Sequence, residues 1–231
     1  MKIAAMSDMH GFLPDVSRIK KVDVVVIAGD VFPLDMQRDM PACENWFKNK
    51  MLPWMGSLPA ERVILIPGNH DFFFFRAYNH TIGFDMDTFL ASEENTMGDR
   101  LVYLIDTGFE WGGKTFYGTP WVAVLHRWAF YAPCTADKWS LIPEGVDLLV
   151  THMPPSAGMT GVTHPGTPFA VDYGDAYLTV ALASKKVKNH VCGHVHTGVH
   201  GGVECGGTKV YNVSLKNEDY RVAYGVTYFE I

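Results

Sequence analysis

Short, almost continuously apolar segments recur along this chain, and each ends in a small group of aspartate, asparagine or histidine residues. The clearest are residues 22–28 (VDVVVIA) and 62–66 (RVILI), which are rich in β-branched side chains. Segments of this kind are typical of strands buried on both faces, as in parallel sheets. The carboxyl ends of such strands meet at one edge of a sheet, where binding sites form. We therefore expect the polar groups at these ends to converge.

Five polar clusters follow segments of this type. They are Asp8-Met9-His10, Gly29-Asp30, Gly68-Asn69-His70-Asp71, Thr151-His152 and Gly193-His194-Val195-His196. Each cluster alone is a weak signal, because an aspartate after a glycine is an ordinary turn residue and histidine pairs also occur on surfaces. Together they supply enough carboxylate, amide and imidazole ligands for two divalent metals, with one histidine to spare. That combination is suited to attack on a phosphate ester by a metal-bound hydroxide.

The rest of the pattern indicates more strands than a simple doubly wound sheet requires. Helices are predicted around residues 43–55, kinked or ended near Pro53, and around 174–186. Further strands are predicted at residues 101–105, 114–118, 210–213 and 223–231. Two packed sheets flanked by helices accommodate this number, so the predicted class is α/β (α+β).

The overall composition predicts one domain that covers residues 1–231. The chain is 48% hydrophobic, which at this length is enough for a single core. Its apolar stretches run well short of the roughly 20 residues that span a bilayer, so no membrane segment is expected. The first predicted strand leads directly into Asp8, and we therefore expect no cleaved signal peptide. Four cysteines without framework spacing predict reduced thiols and a cytoplasmic location.

The charge balance bears on the class of partner. A net charge of -6 argues against a long electropositive groove, so the sequence gives no strong signal for nucleic-acid binding. It does not exclude a small anionic substrate, because two bound dications would dominate the charge of the site. A small-molecule phosphoester is therefore the expected partner.

The residue types within the clusters predict separate roles. Asp8 and His10 are two residues apart, so on a regular strand both side chains reach one ion from the same face. Asp30 offers two carboxylate oxygens, which are able to bridge two metals. Asn69 offers a neutral carbonyl oxygen to a metal. His70, beside it, is predicted to be a general acid that protonates a leaving oxygen.

The other predicted site residues accompany these ligands. Asp71 is predicted either to orient His70 or to cap the segment that follows. His152 precedes two prolines, which stiffen its loop and hold it in place. His194 and His196 are separated by one residue, and they either face the same way or splay onto two ions.

The order of these clusters, DxH, GD, GNHD, H and GHxH, resembles the signature of the calcineurin-like metallophosphoesterase superfamily across residues 8–196. The segments FYGTPW (116–121) and DKWSLIPEG (137–145) are similar to those of one branch, the metallophosphoesterase-domain-containing phosphodiesterases. Some animal members of that branch carry glycine for the first histidine of the last motif, whereas this chain has His194. The resemblance implies a four-layer double β-sandwich flanked by helices and a complete set of metal ligands.

The resemblance also implies how the ligands are shared between two divalent metals. One metal would be held by Asp8, His10, Asp30 and His196. The other would be held by Asp30, Asn69, His152 and His194. The implied mechanism is in-line attack on phosphorus by a hydroxide shared by both metals, with His70 protonating the leaving alkoxide. Manganese is the expected metal, with iron, zinc, nickel, cobalt and magnesium as alternatives.

The resemblance favours phosphodiesters as substrates, cyclic or other small nucleotides in particular. Asn69, His70 and Trp121 are the predicted substrate contacts, and Trp128 lies in the same loop region; such rings are able to stack on a nucleobase. We interpret the four phenylalanines of residues 72–75 as core. A phosphomonoesterase, a nuclease and a catalytically silent metal-binding scaffold are the alternatives. The absence of a basic arm disfavours the nuclease, and the intact ligand set disfavours the scaffold.

Overall fold

The computed structural model of the chain describes residues 1–156, 161–163 and 170–231. In chain order its strands are β1 (Lys2–Met6), β2 (Val24–Ala28), β3 (Arg62–Ile66), β4 (Leu101–Tyr103), β5 (Thr107–Trp111), β6 (Lys114–Thr119), β7 (Leu148–Thr151), β8 (Gly161–Thr163), β9 (Ala170–Asp172), β10 (Asn189–Cys192), β11 (Gly201–Cys205), β12 (Thr208–Asn212) and β13 (Thr227–Glu230). Its helices are α1 (Met40–Trp46), α2 (Leu52–Ser57), α3 (Phe72–Tyr78), α4 (Met86–Leu90), α5 (Thr135–Ser140) and α6 (Ala176–Ser184). His164, which has no predicted role, lies outside the described residues.

The first sheet contains five strands in the order β13-β1-β2-β3-β4. Strands β1 to β4 run parallel, and β13 pairs antiparallel with β1 at one edge. Ala4 lies beside Val25, and Val25 lies beside Val63, so these three side chains share one face of the sheet. Because β1, β2 and β3 are parallel, the clusters that follow them reach the same edge.

The second sheet contains six strands in the order β11-β12-β10-β7-β6-β5. The four central strands run parallel, and β11 and β5 are antiparallel edge strands. Strands β8 and β9 form a separate two-stranded ribbon. The loops after β7 and β10 carry the remaining two histidine clusters, so the two sheets contribute to one common edge.

Successive side chains along a strand pack into two different apolar layers. In β2, Val24, Val26 and Ala28 belong to the layer between the sheets, whereas Val25 and Ile27 pack in the layer that includes the helices. The helices contribute large buried side chains to that outer layer, among them Phe47, Phe74, Trp139 and Leu178. Both faces of the central strands are therefore buried, which is the physical reason for their unbroken apolar sequences. The arrangement confirms the predicted double β-sandwich flanked by helices.

The first helical segment does not end at Pro53, which was one of the two predicted alternatives. A π-helical turn (Phe47–Met51) joins α1 to α2, and the helical path continues to Ser57. Pro53 lies in the first turn of α2, a position where proline is well tolerated. The proline therefore neither ends nor breaks the segment. None of the helices in the described part of the chain combines the length and apolarity needed to cross a membrane.

The four consecutive phenylalanines form part of the core, as interpreted from the sequence. They begin α3, where Phe72, Phe73 and Phe74 are buried. The ring of Phe74 packs 5.0 Å from that of Phe32 and 5.4 Å from that of Phe47, measured between centroids. These contacts attach α3 to the loop after β2 and to the π-helical turn, and they fix the position of the cluster that precedes α3.

Candidate metal centre

The five polar clusters lie together at the carboxyl edge of both sheets. Several of their residues adopt the left-handed backbone conformation, which is uncommon outside glycine but tolerated best by aspartate, asparagine and histidine. The φ angles are 53° for Asp8, 42° for His10, 56° for Asp30 and 69° for His194. The chain thus turns sharply at the end of each strand, and the side chains point towards one another.

The first candidate ligand set is built around the buried carboxylate of Asp8. Its Oδ1 lies 3.2 Å from Nε2 of His196. Its Oδ2 accepts hydrogen bonds from Ser214 Oγ at 2.5 Å and from the backbone N–H of His194 at 3.0 Å. Burial alone would raise the pKa of Asp8, but the hydrogen bond from His196 and the charge of His152 hold that pKa below its ordinary value. Asp8 is therefore an ionised, acceptor-only group.

His10 completes this set and has no hydrogen-bonding partner of its own. Both of its ring nitrogens are buried and unsatisfied among the described residues. The nearest acceptor, Oδ2 of Asp30, lies 3.8 Å from its Nε2. Burial lowers the pKa of His10 to about 4, against the opposing charge of Asp30, so its imidazole is neutral near pH 7. A buried, neutral imidazole without a partner is costly, and a bound cation would satisfy it.

The second candidate set surrounds the side-chain oxygen of Asn69. This Oδ1 lies 2.8 Å from Nδ1 of His194 and 3.0 Å from Nε2 of His152. The other ring nitrogen of His152 donates to the backbone oxygen of Ala28 at 2.8 Å, which fixes the ring so that Nε2 faces the site. Burial would lower the pKa of His152, but the charge and hydrogen bond of Asp30 raise it to about 9. A metal bound there would displace that proton.

Asp30 stands between the two sets. Its Oδ2 lies 3.3 Å from Nε2 of His152 in the second set, and 3.8 Å from Nε2 of His10 in the first. Its Oδ1 accepts a hydrogen bond from the backbone N–H of His70 at 2.8 Å. Burial would raise the pKa of Asp30, but the surrounding histidines hold it well below its ordinary value. This position is compatible with the predicted role of a carboxylate that bridges two cations.

The donor atoms fit divalent metals in both number and chemistry. Within residues 1–156, 161–163 and 170–231, three overlapping groups of residues have ligand atoms that all lie within 4.8 Å of one another. They are Asp8 with His10 and His196, His10 with Asp30 and His70, and Asp8 with Asp30 and His152. Imidazole and carboxylate together suit manganese, iron, cobalt, nickel or zinc better than calcium or magnesium, which prefer oxygen ligands alone.

Two motif glycines allow the clusters to approach this closely. A Cβ atom on Gly193 would collide with the side chains of Ser7 and Asp8. A Cβ atom on Gly68 would collide with Oδ1 of Asp30 and would lie 2.8 Å from Cε1 of His152. Larger residues at these two positions would push the ligands apart, so the glycines are required by the packing of the site.

His70 lies beside the ligand sets and is held by a residue that the sequence did not reveal. Its Nδ1 donates to Oε1 of Gln37 at 2.7 Å, and its Nε2 lies 4.0 Å from Oδ2 of Asp30. One face of its ring packs against Trp128, with 4.3 Å between ring centroids. Nε2 is thus directed towards the candidate metals while the opposite side of the ring is fixed.

The predicted roles of Asp71 require correction. Its carboxylate neither contacts the His70 ring nor caps α3 in the described structure. Instead it is buried and accepts four backbone hydrogen bonds, from Gly68, Asp30, Val31 and Phe32, at 2.7–3.3 Å. Burial and the charge of Asp30 raise the pKa of Asp71 to about 7, against the effect of these donors. Asp71 therefore ties the loop after β2 to the loop after β3.

The substrate contact predicted for Trp121 is also not supported by its surroundings. Its indole is buried, and its Nε1 donates to both carboxylate oxygens of Asp106 at 2.8 and 2.9 Å. The Lys138 ammonium lies 3.7 Å from the centroid of the same ring. A tryptophan whose N–H is satisfied and whose face is covered acts in packing. Trp128, seven residues later, is the tryptophan that contacts the site.

Tyr220 is a further residue that the sequence analysis missed. Its ring centroid lies 5.0 Å from that of His10 and 5.3 Å from that of His196, both edge to face. The loop that carries it begins at Asn217, whose backbone oxygen accepts a hydrogen bond from Nδ1 of His196 at 2.9 Å. No motif spacing points to Tyr220, because it lies in an irregular segment between β12 and β13.

Comparison with known proteins agrees with this geometry. The family model described as calcineurin-like phosphoesterase matches residues 1–198. Metallophosphoesterase domain-containing protein 1 of Homo sapiens is 31% identical to this chain, covering 95% of it and 68% of the human protein. A UPF0046 protein of Caenorhabditis elegans is 30% identical and covers 96% of this chain and 58% of its own length.

Solved structures of low sequence identity share the fold. Phosphopantetheinyl hydrolase from Mycobacterium tuberculosis aligns with a TM-score of 0.57 at 15% identity, over 95% of this chain and 90% of that one. The protein TT1561 of Thermus thermophilus aligns with a TM-score of 0.54 at 15% identity, over 91% of this chain and 88% of that one. These two likenesses extend to architecture alone.

The substitution Asp30→Asn tests the bridging position. An amide presents one oxygen and no charge, so we expect the variant to bind neither metal tightly, and elemental analysis measures this directly. Asp147→Asn is the matched control, because Asp147 is also a buried aspartate but pairs with Lys188 and Thr115. Two metals per chain in Asp30→Asn would contradict the bridge.

The substitution Asp71→Asn tests the connection between the two loops. An amide group would place an NH₂ donor against backbone N–H donors, and each buried donor left unsatisfied costs about 1–3 kcal/mol. We expect a lower free energy of unfolding, measured with urea, together with weaker metal retention. The control is Asp99→Asn, whose side chain is 84% exposed. Unchanged unfolding and full metal content would show that Asp71 has no such function.

Proposed function

Because this chain belongs to the calcineurin-like phosphoesterase family of metal-dependent phosphoester hydrolases, we propose that it hydrolyses phosphodiesters, small or cyclic nucleotides in particular. The observation that carries the proposal is the arrangement around Asp30. Two sets of N and O ligands meet at its Oδ2, and His70 lies beside them with a ring nitrogen facing the same space. This is the arrangement that in-line displacement at phosphorus requires.

The ligands are assigned to two metals as follows. Asp8, His10, Asp30 and His196 would hold the first metal. Asp30, Asn69, His152 and His194 would hold the second. Two dications bound there would lower the pKa of the attacking water and neutralise charge on the phosphoryl oxygens. The mixed imidazole and carboxylate ligands support manganese as the working metal, since these ligand types suit it better than magnesium.

His70 serves as the general acid in this proposal. Gln37 accepts the Nδ1–H hydrogen bond, so the ring keeps one orientation. In the imidazolium form the second proton lies on Nε2, and its transfer leaves the neutral Nδ1–H ring. When the bond from phosphorus to the leaving oxygen breaks, that oxygen takes the Nε2 proton and departs as an alcohol. Trp128 prevents the ring from turning away, because it packs against one face. Gln37 and Trp128 are thus positioning residues.

The intact ligand set supports an enzyme over a metal-binding scaffold. Asp8, Asp30 and His152 are fully or almost fully buried, and neither ring nitrogen of His10 has a hydrogen-bonding partner within the described part of the chain. A scaffold would gain stability from apolar replacements at such positions, since buried polar groups without partners are destabilising. All four cysteines are free thiols, which supports the further proposal of a cytoplasmic location.

The first experiment compares bis-p-nitrophenyl phosphate with p-nitrophenyl phosphate. Metal-stripped protein is tested with manganese, nickel, cobalt, zinc or magnesium added back. We expect metal-dependent hydrolysis that favours the diester and is strongest with manganese. Preference for the monoester would replace the proposal with a phosphatase. Inactivity with every metal, despite two bound per chain, would instead support the scaffold.

His70→Ala tests the general acid. We expect both metals to remain bound, while turnover of diesters with alkyl leaving groups falls about 10²–10⁴-fold. Bis-p-nitrophenyl phosphate should lose much less, because p-nitrophenolate leaves without protonation. His80→Ala is the control, since that side chain is 79% exposed. Loss of a metal would make His70 a ligand, and equal loss with both leaving groups would exclude proton donation.

A further inference from the structure

An aromatic and cationic surface extends from His70 away from the candidate metals. Trp128 packs on the His70 ring, and its own centroid lies 5.9 Å from that of Phe72. The guanidinium carbon of Arg38 lies 3.9 Å from the Phe72 centroid and 5.6 Å from the Trp128 centroid. The four side chains are thus in continuous contact. Phe72 and His70 are buried, so Arg38 and the partly exposed Trp128 form the accessible part, which we call the Arg38–Trp128 surface.

The charge of Arg38 is not neutralised by the protein. Its side chain is exposed, and no carboxylate in the described part of the chain lies within 4.0 Å of its guanidinium nitrogens. The side chain of the adjacent Asp39 instead accepts the hydrogen bond from the backbone N–H of Ala42 that caps α1. Aromatic faces hold a guanidinium group in place without cancelling its charge. Arg38 is therefore an oriented cation, although the chain as a whole carries a net charge of -6.

The location of this surface relative to the reaction rests on the proposed function. If Nε2 of His70 protonates the leaving oxygen, that oxygen must come within hydrogen-bonding distance of it. The metal ligands occupy the side of the ring that faces Asp30, whereas Trp128 covers one ring face and Gln37 binds Nδ1. A leaving group that continues from Nε2 along Trp128 comes within reach of Arg38, whose guanidinium carbon lies 5.6 Å from the Trp128 centroid.

We propose that the Arg38–Trp128 surface is a subsite for the leaving group, and that it selects leaving groups which carry both an aromatic ring and a negative charge. The indole ring of Trp128 stacks on the ring, and the guanidinium of Arg38 pairs with the anion. Arginine suits this task because its planar group stacks on aromatic rings while presenting several N–H donors to an oxyanion. The substrates selected are diesters whose departing alcohol is itself an anionic aryl or nucleotide group.

The test uses two methyl aryl phosphodiesters that differ only in the charge of the leaving group. One has a meta-carboxyphenyl leaving group and the other a meta-carbamoylphenyl leaving group. For each enzyme variant the kcat/KM of the first ester is divided by that of the second, which cancels differences in phenol acidity. Arg38→Gln should lower this ratio roughly two- to fivefold relative to the unaltered protein, as expected for loss of a partly exposed ion pair.

Arg18→Gln is the matched control, because Arg18 is an exposed arginine whose partner is Asp15, at 3.7 Å. Its ratio should equal that of the unaltered protein. If Arg38→Gln hydrolyses both esters with an unchanged ratio, the subsite is excluded while the proposed function stands. If the unaltered protein hydrolyses neither ester with any metal, both the proposed function and the subsite are excluded. If Arg18→Gln also lowered the kcat/KM ratio, the effect would be due to general surface charge, and the subsite assignment would be wrong.

Discussion

Three aspartates buried within one small region are the constraint on which the site depends. Asp8, Asp30 and Asp71 are each at most 2% exposed, and carboxylates at this depth are unfavourable unless donors or cations surround them. Asp71 accepts hydrogen bonds from four backbone N–H groups, although burial and the charge of Asp30 still raise its pKa to about 7. Asp8 and Asp30 receive fewer donors and depend on histidines. The protein thus holds Asp71 with backbone groups alone, and compensates the charges of Asp8 and Asp30 with histidines that are themselves candidate metal ligands or lie beside them.

The parts of the molecule that could be predicted from its sequence are those that depend on buried parallel strands. Strands buried on both faces are recognised by their unbroken apolar sequences. Because the strands are parallel, the polar groups that follow them meet at one edge of the sheet. The fold and the convergence of Asp8, Asp30 and His152 follow from that rule. The structure confirms the double sandwich. It also brings Asp8, Asp30 and His152 close together, whereas the assignment of ligands to two metals stays a prediction.

Residues in irregular segments could not be assigned in the same way. Trp121 and Trp128 lie in one loop region. A tryptophan whose N–H is bound by an acceptor elsewhere does not face the site, so the orientation of each indole depends on its hydrogen-bonding partner. Asp106 supplies that acceptor to Trp121, a pairing between residues with no periodic relation. Gln37 and Tyr220 likewise have no periodic relation to the residues that they contact, because both reach the site from loops. Asp71 was misassigned because its partners are backbone N–H groups, which are present at almost every residue.

The pairing of β1 with β13 has a consequence for how the molecule is made. Residues 2–5 lie beside residues 227–230, and the ligands themselves are distributed between Asp8 and His196. Ser214, which donates to Asp8, comes later still. On a ribosome, Asp8 and Asp30 are therefore synthesised long before the groups that compensate their charge. The nascent chain must carry these carboxylates in water until the later strands emerge, and the metal site can form only after His196 and Ser214 have been translated.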